Sequence, residues 1–164
     1  MKNLLVIYFF FVSIGLTYAG GGWTQPKGDL YLKLGQYAIL ANNYYTPSGD
    51  LVDITTTGYY ATSVYGEWGF SDKLTGILYL PFFVRSTLNK IEREDGTLVE
   101  PGDQINSMGD VDVSIKYSLF QKGPYVSAIS LTLGLPLGKP SGGNTELLQT
   151  GDGEFNQMIS LDAS

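Results

Sequence analysis

The sequence predicts an all-β fold: an antiparallel up-and-down transmembrane β-barrel, of which about six strands are present in this chain. Three observations predict it. Long segments alternate apolar with polar residues, the connections between them alternate in length, and a secretory signal precedes them. Side chains alternate across a strand, so each such segment has one apolar face and one mixed polar face. Transmembrane barrels combine that alternation with short turns at one end and longer loops at the other.

The clearest strand pair is the segment 59–84, in which the polar link Ser71-Asp72-Lys73 joins two alternating runs. Each run has about 11 residues, which suits a strand that crosses a bilayer at a tilt. The apolar face of the pair is expected to carry Tyr60, Thr62, Val64, Gly66, Trp68 and Phe70, then Leu74, Gly76, Leu78, Leu80, Phe82 and Val84.

Other segments are predicted to be strands on the same grounds, namely residues 28–40, 110–120, 125–137 and the beginning of a sixth strand at 154–164. In residues 28–40, Leu30, Leu32 and Leu34 share one face of the strand. After Gly35 it is uncertain which residues continue that face. A glycine-associated bulge at that position would explain the change, and so would a strand that leaves the membrane there.

The connections run long, short, long, short and long in chain order: residues 41–57, 71–73, 86–109, 121–124 and 138–153. In the first, Pro47-Ser48-Gly49-Asp50 is predicted to be a turn that tops a small hairpin. In the third, Asp95-Gly96 is predicted to fold back as a β-turn. With the N-terminus in the periplasm, every connection has the length that a barrel requires, whereas a soluble sandwich would show this only by chance.

The first 19 residues have the three parts of a secretory signal peptide. Lys2 makes the start basic, residues 4–16 are apolar, and small residues lead up to Ala19. An apolar run of this length is too short to span about 30 Å of bilayer as a helix. We therefore expect cleavage after Ala19, export of one domain formed by residues 20–164, and a location in the outer membrane of a Gram-negative bacterium.

The composition excludes many functions. The chain has no Cys and no His, which removes disulfide scaffolds, thiolate and histidine-based catalysis, and most zinc or iron sites. We therefore predict no enzyme activity, no catalytic residues, no cofactor and no metal. A pair of catalytic carboxylates would survive this exclusion, and loop carboxylates such as Asp152 are hard ligands of the kind that Ca²⁺ takes, but no spacing indicates either site. A net charge of −6 without a basic patch argues against nucleic acid as a partner.

Eight residues are candidates to line a lumen: Lys33, Tyr59, Tyr65, Glu67, Tyr79, Arg85, Asp112 and Lys116. The charged ones either tune which solutes pass or pair with one another to neutralise a narrow interior, since buried charges need partners. The tyrosines either offer ring faces and hydroxyls to an aromatic solute or fill space. Both alternatives stay open from the sequence.

Aromatic residues near the predicted strand ends suggest the interfacial girdles of a barrel. The candidates are Trp68, Phe70, Phe82, Tyr117 and Phe120. Strict alternation turns Phe120 away from the lipid face unless its strand has already ended. The competing interpretation is aromatic packing in a sandwich core.

Several phrases of the chain resemble a family of bacterial outer-membrane proteins, the MetA-pathway of phenol degradation family. They are Gly66-Glu67-Trp68-Gly69-Phe70-Ser71-Asp72-Lys73-Leu74, Leu80-Pro81-Phe82, Met108-Gly109-Asp110-Val111 with Ile115-Lys116-Tyr117, Leu135-Pro136-Leu137-Gly138-Lys139-Pro140-Ser141-Gly142, and Thr150-Gly151-Asp152-Gly153-Glu154. The resemblance covers most of residues 20–164 and implies the N-terminal part of a longer barrel. It implies transport of aromatic or other hydrophobic compounds and brings no catalytic residues.

These observations together predict a channel through which small, hydrophobic or aromatic solutes diffuse passively. The expected partners are outer-membrane lipid and lipopolysaccharide, the small hydrophobic solute and the barrel-assembly machinery. The alternative functions are a structural or adhesive barrel whose outer loops bind a partner, and a soluble secreted sandwich that buries the leucines of strand 125–137. Single-chain barrels begin at about eight strands, so we expect the barrel to be truncated at the C-terminus of this chain; the rival interpretation is an oligomeric barrel to which each protomer contributes a few strands.

Overall fold

A computed structural model describes residues 21–93 and 95–164, and the predicted signal peptide lies outside them. The described residues are built from antiparallel strands that continue over long stretches because apolar and polar residues alternate in them. The strands are β1 (Leu30–Tyr45), β2 (Leu51–Ser71), β3 (Leu74–Leu88), β4 (Ile91–Glu92), β5 (Leu98–Glu100), β6 (Asp103–Ser107), β7 (Val111–Lys122), β8 (Tyr125–Leu135) and β9 (Asn156–Ala163).

The main sheet has the strand order β1-β2-β3-β7-β8-β9 and curls into a half-barrel, which confirms the all-β, up-and-down antiparallel architecture. The short β6 pairs with the C-terminal end of β3, and β4 pairs with β5 in a separate hairpin. Within the described chain, β1 and β9 each pair on one side only, so the curled sheet is open along these two edges.

The two ends of the half-barrel differ as the connection lengths predict. Tight links at residues 72–73 and 123–124 form one end, called here the short-turn end. The long-loop end carries residues 46–50, 89–110 and 136–155. In the middle loop, Gly96 adopts a φ of 83° and its N–H donates to the carbonyl of Arg93, so the predicted turn at Asp95-Gly96 is present between β4 and β5.

The first connection is shorter than expected, and the prediction of a polar loop over residues 41–57 is wrong. β1 and β2 continue to pair up to Tyr45 opposite Leu51, with the predicted turn at residues 47–50 on top. Polar and Thr-rich residues form strand here because they pair with each other at a half-exposed end of the sheet. The pairing of β1 with β2 runs through Gly35 without a bulge, and the register shift lies between Ala41 and Asn43.

A bulge in β3 reverses the side-chain phase of its second half. Thr62 lies opposite Phe83, but Val64 lies opposite Leu80, so β3 has one residue more than β2 in this interval. Val84 consequently turns to the concave face, where it lies opposite Ala61 and is 0% exposed. Its expected position on the apolar face with Leu78 is therefore wrong.

β7 also contains a bulge, which shifts the register between Ser118 and Phe120. Ser118 is buried on the concave side, while Phe120 lies opposite Ser127 and is exposed together with Leu119. The strand continues to Lys122, so Phe120 reaches the convex face through the bulge and not because the strand has ended.

Residues 21–29, called here the N-terminal strap, cross the concave face at the short-turn end. The backbone N–H of Gln25 donates to Thr75 Oγ1 at 2.8 Å, and the Lys27 N–H donates to Asp72 Oδ1 at 3.0 Å. Gly28 N–H donates to the Gly69 carbonyl at 2.8 Å. The strap is therefore held by the sheet.

Residues 136–155, called here the inner loop, fold over the concave face at the long-loop end. Leu148 and Thr150 are buried, and the Thr150 hydroxyl donates to the carbonyl of Met108 at 2.9 Å. Asp110 accepts hydrogen bonds from the backbone N–H groups of Gly138 and Asp152 at 2.9 and 2.7 Å. Strap and inner loop thus narrow the two ends of the half-barrel.

Candidate functional site

Seven of the eight predicted lining residues share the concave face. The strand register shows this directly, because residues opposite each other point to the same side of the sheet. Lys33 is opposite Tyr65, Tyr65 is opposite Tyr79, and Tyr79 is opposite Asp112. The other three of these seven candidates are Tyr59, Glu67 and Lys116.

Arg85 is the exception, and its predicted place among the lining residues is wrong. It lies opposite Tyr60, on the same face as the leucines of β1, because the bulge between Leu80 and Phe83 reverses the phase of β3. Its guanidinium donates to Gln104 Oε1 at 2.6 Å near the long-loop end.

A cavity of about 860 Å³ lies between the N-terminal strap and the concave face. It falls within the range of about 300–1,000 Å³ that is usual for small-molecule sites. The rings of Tyr31 and Tyr65 meet edge to face with centroids 6.3 Å apart, and those of Tyr37 and Tyr59 lie at 6.0 Å. The lining includes Trp23, Gln25, Tyr31, Lys33, Tyr37, Tyr65, Glu67, Tyr79 and Lys116.

The charges of this cavity are not neutralised by one another. Glu67 accepts hydrogen bonds from the Tyr65 hydroxyl and from the Gln25 amide nitrogen, both of which are uncharged donors. Lys116 Nζ donates to the Gly21 carbonyl at 2.9 Å. Over residues 21–93 and 95–164, an ion pair is found between Lys90 and Glu92, on the long-loop side, and not among the cavity charges.

Several lining residues were not among the eight candidates; those with aromatic rings or a hydrogen bond to Glu67 are Trp23, Gln25, Tyr31 and Tyr37. Tyr31 and Tyr37 lie on the same face of β1 as Lys33: the alternation before Gly35 already places Tyr31 there, and continuing it past Gly35 would have found Tyr37. Trp23 and Gln25 follow no periodicity. The isolated tryptophan in a glycine-rich lead was the available signal.

The convex face is apolar and open. Trp68, Phe70, Phe82, Tyr117 and Phe120 are all roughly half exposed, and the rings of Trp68 and Phe70 pack at a centroid distance of 4.9 Å. Between these aromatics, the face carries aliphatic side chains from every strand of the main sheet. Examples are Leu34, which is 73% exposed, and Ile159, which is 73% exposed.

The inner loop is fastened by Asp103, which lies in the long connection between β3 and β7. Its carboxylate accepts from the N–H groups of Asn144 and Thr145 and from the Thr145 hydroxyl, at 2.7–3.0 Å. These donors, led by the Asn144 N–H, lower the pKa of Asp103 from 3.8 to about 2. A carboxylate with a lowered pKa stabilises the fold above its ordinary pKa and loses that contribution as the pH falls through the lowered value.

We predict that Asp103→Asn exposes the inner loop to protease at neutral pH, because the amide replaces a charged acceptor of several N–H groups. In the wild type, the same exposure is expected only as the pH falls from about 4 toward 2. Cleavage next to Leu147, followed by mass spectrometry, measures it. Asp95→Asn, which alters a carboxylate bonded within its own turn, is the matched control. Equal cleavage of both variants would contradict the clamp.

Comparisons with protein-family models, with curated proteins and with solved structures find no match to this chain. The described residues contain no helix that is long and apolar enough to cross a membrane. Those same residues contain no group of three or more carboxylate, His or Cys side chains arranged to hold a metal ion.

Proposed function

We propose that this chain forms part of an outer-membrane β-barrel channel, through which small hydrophobic or aromatic solutes diffuse along the concave face. The observation that carries the proposal is the contrast between the two faces of the curled sheet. Exposed aliphatic and aromatic side chains cover the convex face, while tyrosines and charged groups lie on the concave one. A membrane barrel requires that contrast, since lipid lies outside it and water inside.

In this proposal, a solute that crosses the lumen must pass two constrictions, one at each end of the barrel. The N-terminal strap crosses the lumen at the short-turn end, which is the periplasmic end, and the inner loop crosses it at the outer end. Solutes move through the lumen passively, down their own gradient. The partners are outer-membrane lipid and lipopolysaccharide, the solute, and the machinery that assembles barrels.

The proposal includes membership of the MetA-pathway of phenol degradation family. Its support is the set of short sequence phrases around Trp68, Pro81, Asp110, Pro136 and Asp152. Three of these phrases coincide with structural features: Pro81 lies at the bulge of β3, and Asp110 accepts a hydrogen bond from the Asp152 N–H at the base of the inner loop.

Flux measurements test the proposal. The full chain, refolded into lipid vesicles, is expected to release a small neutral aromatic solute faster than empty vesicles do, and to migrate on gels in a heat-modifiable way. A protein that partitions wholly into the aqueous phase and shows no heat modifiability would contradict it.

A second candidate function is adhesion, which the β4–β5 hairpin favours. Leu98 and Val99 are about half exposed at the long-loop end, where an outward-facing partner would meet them. Deletion of residues 91–100 separates the two functions. The channel predicts unchanged flux and the adhesin predicts loss of surface binding by cells that display the barrel.

We further predict that more strands than these six complete the barrel in a membrane. Unpaired backbone groups along β1 and β9 would cost on the order of several kcal/mol each in lipid. Further strands would come either from additional polypeptide or from a second copy, and the mass of the protein in detergent distinguishes them. A stable lipid-embedded single copy of residues 20–164, with no further polypeptide, would contradict the prediction.

A further inference from the structure

We infer that the cavity beneath the N-terminal strap binds a planar aromatic solute that carries a negative charge, of the class of small aromatic carboxylates. The inference rests on the proposed channel and specifies its solute. It follows from three features of the cavity: rings on several walls, ammonium groups without counter-ions, and a carboxylate that is already engaged.

The walls favour a flat ring. Tyr31, Tyr37, Tyr65 and Tyr79 come from three neighbouring strands, and Trp23 closes the cavity from the strap. Aromatic pairs contribute about 0.5–1.5 kcal/mol beyond their buried area, in stacked or edge-to-face geometry. Tyr31 and Tyr65 already adopt the edge-to-face arrangement, so an inserted ring would extend an existing set of contacts.

The ammonium groups favour an anion. Lys33 on β1 has no hydrogen-bond or ion-pair partner among the described residues, and Lys116 on β7 makes one hydrogen bond, to the Gly21 carbonyl. An ammonium has three donors, so both lysines keep donors for a ligand. Lys33 and Lys116 are three strands apart, about 14 Å across the sheet, and they are also offset by four residues, about 13 Å, along the strands, since Lys33 is in register with Tyr79 and Lys116 with Thr75. A single solute would therefore reach one of them at a time.

The acidic groups do not cancel this preference. Glu67 is the carboxylate that lines the cavity, and its hydrogen bonds come from Tyr65 and Gln25. Asp112 lines a neighbouring, smaller cavity on the side of β8 and β9, together with Lys116 and Asp162. Lys33 forms no ion pair with Glu67 or Asp112. We therefore expect the Lys33 ammonium to bind the negatively charged group of the solute.

The two tryptophans provide the measurement. Trp23 lines the cavity and Trp68 lies on the convex face, so Trp68→Phe leaves Trp23 as the only fluorophore of its kind. In vesicles, 4-nitrobenzoate is expected to quench Trp23 saturably, and at concentrations about tenfold lower than its neutral analogue 4-nitrobenzyl alcohol. Lys33→Gln should remove that difference and leave quenching by the alcohol unchanged.

Lys73→Gln is the matched control, because Lys73 lies in the turn after β2, outside the cavity. It should behave like the parent. Equal affinity for both probes in the parent would overturn the preference for an anion, and absence of saturable quenching by either would overturn the site. Flux of the neutral solute reports on the channel independently, so failure of the inference and failure of the proposed function are distinguishable.

Discussion

Ile115→Arg is expected to destabilise the protein in lipid by about 2–4 kcal/mol, the cost of an arginine near the middle of a bilayer on the lipid face of a barrel. Ile115 lies mid-sheet on the convex face, opposite Gly76 on one side and Leu131 on the other, and it is half exposed. In water the same change would cost little, because the side chain is already exposed. Urea titration of the vesicle-embedded protein measures the difference.

Ser114→Arg is the matched control, since Ser114 is the preceding residue and faces the concave side. It loses a hydrogen bond to Thr132, which contributes about 1 kcal/mol. The control should therefore be clearly less destabilising than Ile115→Arg. If the two variants lose equal stability, or if their order is reversed, the convex face does not contact lipid.

Gly69→Ala is expected to detach the N-terminal strap and to raise the conductance of the reconstituted channel several-fold. A Cβ at Gly69 would lie 2.0 Å from the Pro26 carbonyl oxygen, a separation that backbone atoms cannot accept. The hydrogen bonds that join Gly69 to Gly28 and Asp29 would break as the strap moves away. The released segment would no longer narrow the short-turn end, and single-channel recording measures the result.

Gly66→Ala is the control on the same strand. Its Cβ would point to the convex face, where the nearest atom is the flexible end of Leu32 at 3.1 Å. Conductance should stay at the parent value. Gln25→Ala is expected to loosen the strap less than Gly69→Ala does, because it removes only the hydrogen bond between Gln25 and Glu67. A folded Gly69→Ala variant with unchanged conductance would show that the strap does not obstruct the lumen.

The strands that span the sheet could be predicted because their side chains alternate over long stretches. The bulge at Leu80-Pro81-Phe82-Phe83 could not, since an apolar run fits either phase of a strand. Proline lacks the N–H that a paired strand uses, so Pro81 signals an irregularity there without fixing which face follows it. The wrong placement of Arg85 and Val84 came from this one position.

The strap and the inner loop could not be predicted because distant residues hold them. Gln25 bonds to Glu67 and Thr75, and Asp103 bonds to Asn144 and Thr145, so each contact depends on the completed curl of the sheet. Neither segment has periodicity of its own. The sequence therefore located the polar face of the site and missed the elements that enclose it.

The proposed channel requires that the convex face of the sheet contact lipid and that the concave face contact water. The chain has no cysteine, so single cysteines can be placed at 113, 114, 115 and 116 and labelled with a fluorophore. In vesicles, brominated lipid should quench the labels at 113 and 115, and aqueous iodide those at 114 and 116. Uniform quenching by iodide at all four positions, with none by brominated lipid, would contradict the claim.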